Sequence, residues 1–170
     1  MGKGTLIKEL LKRCPGLQVA VSATTRQPRE GEVNGRDYHF LSREDFDRRV
    51  AADEFVEHAE YAGHRYGTLW SELARPARGI VLEIDVQGAR QAQDTLPEAK
   101  RIFIEPPSFE DLARRLERRG ADSADQIHRR LVAAREELAA RDEFDHRIVN
   151  DDLERASREL TDLVATMSGP

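Results

Sequence analysis

Apolar positions along the chain keep two rhythms that alternate. The run TLIKELLKRC from residue 5 sets Leu6, Leu10 and Leu11 on one side of a helix. Residues 17–23 read as a strand. GIVLEID at 79–85 is apolar until it ends in acids, the pattern of a buried parallel strand whose end meets a ligand. Residues 101–105 and 147–150 are shorter strand candidates. Helical spacing predicts helices over 86–95, 109–119, 123–141 and 151–167. In the last of these, Leu153, Ala156, Leu160, Leu163, Val164 and Met167 form one stripe that reads as core packing. Strands alternating with helices predict an α/β fold around a parallel sheet. A long irregular segment over residues 25–75 interrupts the alternation. No internal repeat or low-complexity tract is visible.

Composition narrows the classes. The chain has 170 residues, enough for one domain, or a core with insertions, that folds without staples. Its single cysteine, Cys14, excludes a disulfide framework and suits a reducing cytoplasm. No apolar run nears the length of a membrane span, and no signal peptide is expected. A net charge of −5 gives no global basic footprint for a nucleic acid polymer. The five histidines are scattered without metal-ligand spacing and read as surface or satisfied residues. Arginine far outnumbers lysine, which points to a GC-rich coding genome.

Candidate chemistry concentrates in SATTRQPREGEVNGRDYHF, residues 22–40. Pro28 and Gly31 break any helix there, and the run is too polar for a buried strand. It reads as a loop that gathers Arg26, Arg29 and Tyr38 around a compact anion. Arginine suits phosphate because its planar fork offers paired N–H donors and keeps its charge. A solvated surface hairpin turning at Asn34-Gly35 is the plainer alternative. The chain also opens on Met1-Gly2-Lys3-Gly4-Thr5. Gly-Lys at a helix N-terminus is the back half of a phosphate-binding loop, in which backbone N–H groups and the helix end hold phosphates. By itself GKGT is weak.

Together these runs make the chain resemble the guanylate kinase family. The likeness spans nearly the whole chain: GKGTL, the segment at 22–40, EFVEHAEYAGHRYGT at 54–68, VLEIDVQGA at 81–89, RIFIEPPS at 101–108, RLERRG at 115–120 and IVNDDL at 148–153. The resemblance implies an α/β P-loop nucleoside monophosphate kinase: a parallel sheet core (residues 1–24, 76–114 and 142–170), a mixed GMP-binding lobe (25–75) and a helical lid (115–141). It implies phosphoryl transfer from ATP to GMP, with dGMP an expected second acceptor.

The resemblance also assigns roles. Arg26, Arg29, Tyr38 and Tyr66 would hold the GMP phosphate, two forks against a dianion and two phenols donating. Guanine presents N1–H and N2–H2 as adjacent donors, which one carboxylate can accept. Glu57 matches the family's base-reading acid, with Ser22, Thr68 and Glu83 near the base. Read alone, Glu57 is an exposed helix acid. Adenine has an acceptor at N1, so discrimination by a carboxylate can be large. Gly2, Lys3, Gly4, Thr5, Arg115 and Asn150 would face ATP. Asp85 would hold Mg²⁺, directly or through water. Gly4 stands where such loops commonly carry a metal-ligating hydroxyl, which suggests a more water-mediated ion and leaves Thr5 for a phosphate oxygen. Lys3, Arg119 and Arg130 would stabilise the transferring group.

The phosphate loop of the family has further glycines and a strand before Gly2. The expectation is a misassigned start, a GTG valine codon read as initiator methionine; upstream translation tests it. As given, the chain is expected to bind ATP weakly and be less stable, with the GMP lobe intact. The alternatives are a non-catalytic guanylate kinase-like binding module, an inactive truncated form, or a kinase for another nucleoside monophosphate. No membrane and no obligate protein partner are expected.

Overall fold

The computed structural model describes residues 2–118 and 124–167, with side chains outside 115–118 and 124–130. In chain order the elements are α1 (Lys3–Arg13), β1 (Leu17–Val19), β2 (Ala23–Thr24), β3 (His39–Phe40), α2 (Arg43–Ala51), β4 (Phe55–Tyr61), β5 (His64–Leu69), α3 (Trp70–Leu73), β6 (Gly79–Val81), α4 (Val86–Thr95), β7 (Ile102–Glu105), α5 (Phe109–Arg118), α6 (Ala124–Ala139), β8 (His146–Val149) and α7 (Leu153–Met167). They group into two compact units, Leu17–Ala99 and Met1–Gly16 with Lys100–Pro170.

In the second of these units α1 lies against α7. Leu6 and Leu10 are buried on one side, Ala156, Ser157 and Leu160 on the other, and Arg13 ties the pair by donating to Glu154 at 2.7 Å. Leu11 is only half-buried. Leu153, expected in the stripe of α7, is exposed because it opens the helix. β7 and β8 run parallel, Ile102 opposite His146 through Glu105 opposite Val149. The Asn150 N–H donates to the Glu105 carbonyl at 2.8 Å and carries the pairing one residue further. Phe109 and Leu131 pack on buried Leu112 and Ala134 between α5 and α6.

The Leu17–Ala99 unit holds a parallel pair, β1 with β6, and a mixed four-stranded sheet in the order β3-β2-β5-β4. The expected single strand over 17–23 is two. Val19 pairs with β6, whereas Ala23 pairs with β3 and β5, so the chain changes sheets between them. The run at 79–85 likewise leaves its ladder after Val81. The helix expected over 86–95 is α4 itself. It starts where the Asp85 carboxylate accepts the Gly88 N–H at 2.8 Å, a cap that satisfies an otherwise unpaired helix-end donor.

The irregular segment is more regular than its sequence suggests. Ser42 caps α2 by accepting the Asp45 N–H, and α2 buries Phe46 with Ala23, Phe55 and Leu69. The Phe46 and Phe55 rings stack at 4.5 Å between centroids. β4 and β5 form a hairpin whose two turn residues, Ala62 and Gly63, both have positive φ, 52° and 81°, as tight hairpins with the twist of natural strands require. Buried Glu72 of α3 accepts from the Val21 N–H and Arg75 and pairs with His39, which anchors β3.

Candidate functional site

One face of the four-stranded sheet carries the chemistry of the Leu17–Ala99 unit. Tyr66 and Thr68 are two residues apart on β5 and so share a face. Glu57 stands opposite Thr68, but the register shifts between Phe55 and Glu57, so β4 is bulged just before the carboxylate. Bulges re-aim the side chains beside them. Glu57 is therefore neither helical nor exposed, as its local sequence suggests; it is 5% exposed on a strand.

Two glycines admit it. A Cβ on Gly67 would stand 2.7 Å from the Glu57 carbonyl and as close to the Phe55 ring. A Cβ on Gly88 would overlap Glu57 Oε2 and come within 3.1 Å of its Cδ. These are the glycines of the YGT and IDVQG motifs. The carboxylate thus sits against the first turn of α4, whose positive end favours an anion. Burial nonetheless raises its pKa; the Thr68 hydroxyl and N–H pull back, and nearby Asp85 adds to the rise. Among the described residues no cation pairs with it. The buried Thr68 Oγ1 is close enough to act on the carboxylate, though its geometry falls short of a well-formed hydrogen bond. An acid met only by Thr68, with no cation beside it among the described residues, keeps acceptor capacity for a donor-bearing ligand.

The cationic side of the same face is built around Arg26. Its Nη2 donates to both oxygens of Glu32 at 2.8 and 3.0 Å, and Nη1 donates to the Gln27 carbonyl at 2.7 Å. The hydrogen bond from Arg26, then the N–H of Arg29, hold Glu32 below the usual carboxyl range. Arg26 lies over the Tyr38 ring at 5.3 Å, and Tyr38 meets Tyr66 edge-on at 6.2 Å. Burial raises the Tyr38 phenol, followed by the charges of Tyr66 and of the exposed Glu83. Ser22 is half-buried and its carbonyl accepts the His39 N–H. Arg29 is exposed. The Asn34-Gly35 turn is present, with the Asn34 side chain accepting the Phe40 N–H, yet Arg26 and Tyr38 fold inward from it.

Three participants gave no sequence signal. Glu32 occupies one edge of the Arg26 fork. Gln91 of α4 spans both backbone groups of His58: Oε1 accepts its N–H at 3.0 Å and Nε2 donates to its carbonyl at 2.7 Å. Thr95 donates to the Val56 carbonyl at 3.0 Å. Only the fold brings Glu32 to Arg26 and the other two to β4.

In the other unit, Gly2 caps α1 in the left-handed region, with φ 78°. A Cβ there would meet Asn150 Nδ2 at 2.6 Å, so these two sequence candidates are neighbours. Asn150 is buried. Lys3, Gly4 and Thr5 form the first turn of α1, with Thr5 exposed. Arg115 and Arg130 fall on α5 and α6, and their side chains, with all of Arg119, lie outside the described residues.

Asp85 is half-buried, with Oδ1 engaged by the Gly88 N–H. Among the described residues there is no group of three or more His, Cys, Asp or Glu suited to a metal ion. A lone carboxylate of this kind fits a magnesium ion held chiefly by phosphate and water oxygens. Among the described residues no helix is long and apolar enough to cross a membrane.

Comparison with known proteins gives a consistent result. The family model described as guanylate kinase matches residues 1–167. The guanylate kinase of Rubrobacter xylanophilus is 50% identical over 166 residues, 96% of this chain and 87% of that protein. That of Gloeobacter violaceus is 54% identical over 159 residues, 92% of this chain and 78% of that protein. The crystal structure of guanylate kinase from Anaplasma phagocytophilum superposes with a TM-score of 0.79 at 32% identity, covering 98% of this chain and 81% of that one.

Proposed function

Because this chain belongs to the guanylate kinase family, we propose that it transfers the terminal phosphoryl group of ATP to GMP, yielding ADP and GDP. The observation that carries the acceptor assignment is Glu57. It is a buried carboxylate without a cationic partner among the described residues, on the same sheet face as an arginine and two phenols. A guanine edge offers it two parallel donors. Thr68 supplies a hydroxyl beside it, and Ser22 and Glu83 complete the base side.

At the other end of the acceptor, Arg26, Arg29, Tyr38 and Tyr66 bind the monophosphate. Arg26 arrives already oriented by Glu32 and by the Tyr38 ring, which lowers the entropy lost on binding. Phosphoryl transfer asks for position and charge neutralisation more than covalent chemistry. Lys3 is suited to the outer phosphates of ATP, with Gly2, Gly4 and Thr5 contributing loop backbone and a hydroxyl, and Asn150 and Arg115 facing the nucleotide. Residues 115–141 act as a lid that brings Arg119 and Arg130 over the transferring group and excludes water. Asp85 would hold the magnesium ion that accompanies ATP and neutralises phosphate charge. The single cysteine is in keeping with a cytoplasmic setting, and dGMP is the expected second acceptor.

A coupled assay of ADP formation with GMP, dGMP, AMP and dTMP tests the reading. Turnover is expected with the guanine nucleotides alone. Preference for AMP or dTMP would overturn the acceptor assignment. GMP binding by calorimetry without turnover would favour the binding-module alternative.

A further inference from the structure

β4 is the last strand of its sheet, so the outward backbone groups of Val56 and His58 have no neighbouring strand. Three of them are satisfied all the same. Gln91 engages both the N–H and the carbonyl of His58, as a paired strand residue would, and Thr95 takes the Val56 carbonyl. The three bonds fall on the two residues that flank Glu57, at the point where the bulge frees the strand from its regular register. A bulged edge strand is a poor platform for a fixed carboxylate. Gln91 and Thr95 lie on α4, the same helix whose Gly88 forms the wall behind the Glu57 oxygens. One rigid element therefore sets both the backbone and the space of this side chain.

We propose that Gln91 is a positioning residue for recognition of the nucleotide base: it clamps the bulge of β4 and thereby holds the Glu57 carboxylate where adjacent N–H donors of a purine can meet it. The proposal rests on the assignment of Glu57 as base reader. Gln91 need not touch the substrate, and its effect should pass through Glu57 alone.

The test is a double-mutant cycle. Gln91→Met keeps the volume and removes both bonds; Glu57→Gln removes the acceptor charge. Loss of two neutral hydrogen bonds that orient the reader is expected to raise the GMP KM by roughly 5- to 30-fold, with the ATP KM within about twofold. In the Glu57→Gln background the same change should add less than about twofold, because residues acting through one another are not additive. An unchanged GMP KM, or the same fold effect in both backgrounds, overturns the clamp. If Glu57→Gln alone leaves the GMP KM and the preference over AMP untouched, the base-reading assignment itself fails, a result distinct from failure of the clamp. Hydrogen exchange of the unsubstituted protein gives a check that needs no variant to fold. The His58 amide should be protected like those inside the ladder, and exchange as fast as an open edge amide would overturn the proposal.

Discussion

Gly88→Ala separates the needs of the fold from those of the site. In an ordinary helical position alanine is favoured over glycine by about 1 kcal/mol. Here the new methyl group would overlap Glu57 Oε2, stand 3.1 Å from Glu57 Cδ and 3.3 Å from Ile84 Cβ. Overpacking of a close-fitting interior costs roughly 1–3 kcal/mol. The worst overlap is with the tip of a flexible side chain, which can swing aside, so the cost falls at the low end. Net stability should change by no more than about 1 kcal/mol, or about 2–4 °C in Tm. Function should not be spared. A displaced carboxylate forfeits hydrogen bonds to a charged group, each worth roughly 1.5–3 kcal/mol, or about 10- to 150-fold in kcat/KM for GMP. The assay pairs a thermal melt with steady-state ADP formation, varying GMP and ATP in turn. The expected result is a near-normal melt, a large GMP defect and an ATP KM within about twofold. A variant with normal GMP kinetics would refute the claim that Gly88 makes room for a working Glu57, and equal defects toward both nucleotides would show general damage.

Three further outcomes follow from named contacts. Burial holds the Glu57 pKa above the ordinary carboxyl value, so its contribution to stability is complete below the unfolded pKa and is lost as pH rises through the raised folded one; guanine donors favour the ionised form, so GMP binding near that raised pKa should release a proton. Calorimetry in buffers of different ionisation heat should detect a release that Glu57→Gln lacks, and identical proton counts in both proteins would contradict the assignment. Arg26→Lys discards the fork that Glu32 and the Tyr38 ring orient; the GMP KM should rise roughly 10- to 100-fold with the ATP KM nearly constant, and a twofold effect or less would remove Arg26 from the phosphate site. Ala62 holds φ 52° in the β4–β5 turn, where asparagine is better tolerated; Ala62→Asn should stabilise by roughly 0.5–1 kcal/mol and raise Tm by a few degrees, so a lowered Tm would argue against strain at that turn.

The legible parts of this chain are those whose cause is local. α4 begins and ends where periodicity predicts because its cap, Asp85, and its buried face, Val86, Ala89 and Ala92, are all contained in one short stretch. Leu6 and Leu10 of α1, and Ala156 and Leu160 of the α7 stripe, are readable for the same reason, whereas Leu11 and Leu153 are not buried as the stripes predict. Strand limits were not, since residues 17–23 contain nothing to say that Val19 pairs with one sheet and Ala23 with another. Family motifs pointed to Glu57, Tyr66, Thr68 and Gly88 without their physical reason. That reason is a bulge and two close approaches between segments far apart in sequence. Glu32 looked like one acid among many; its meaning comes only from the fork it faces. Gln91 and Thr95 read as ordinary polar helix positions, because their partners are backbone atoms more than thirty residues away.

The polar cover along β4 has a second consequence, for solubility. An uncovered margin of a sheet is a template on which another chain can add a strand, and proteins commonly blunt it with proline, lysine or inward charge. β4, FVEHAEY, contains no proline or lysine. Beside the buried charge of Glu57, its defence at Val56 and His58 is the amide and hydroxyl of a neighbouring helix, which use up bonds an intruding strand would need. Any change that loosens α4 should therefore expose an adhesive rim, and self-association at high concentration would be its first visible sign.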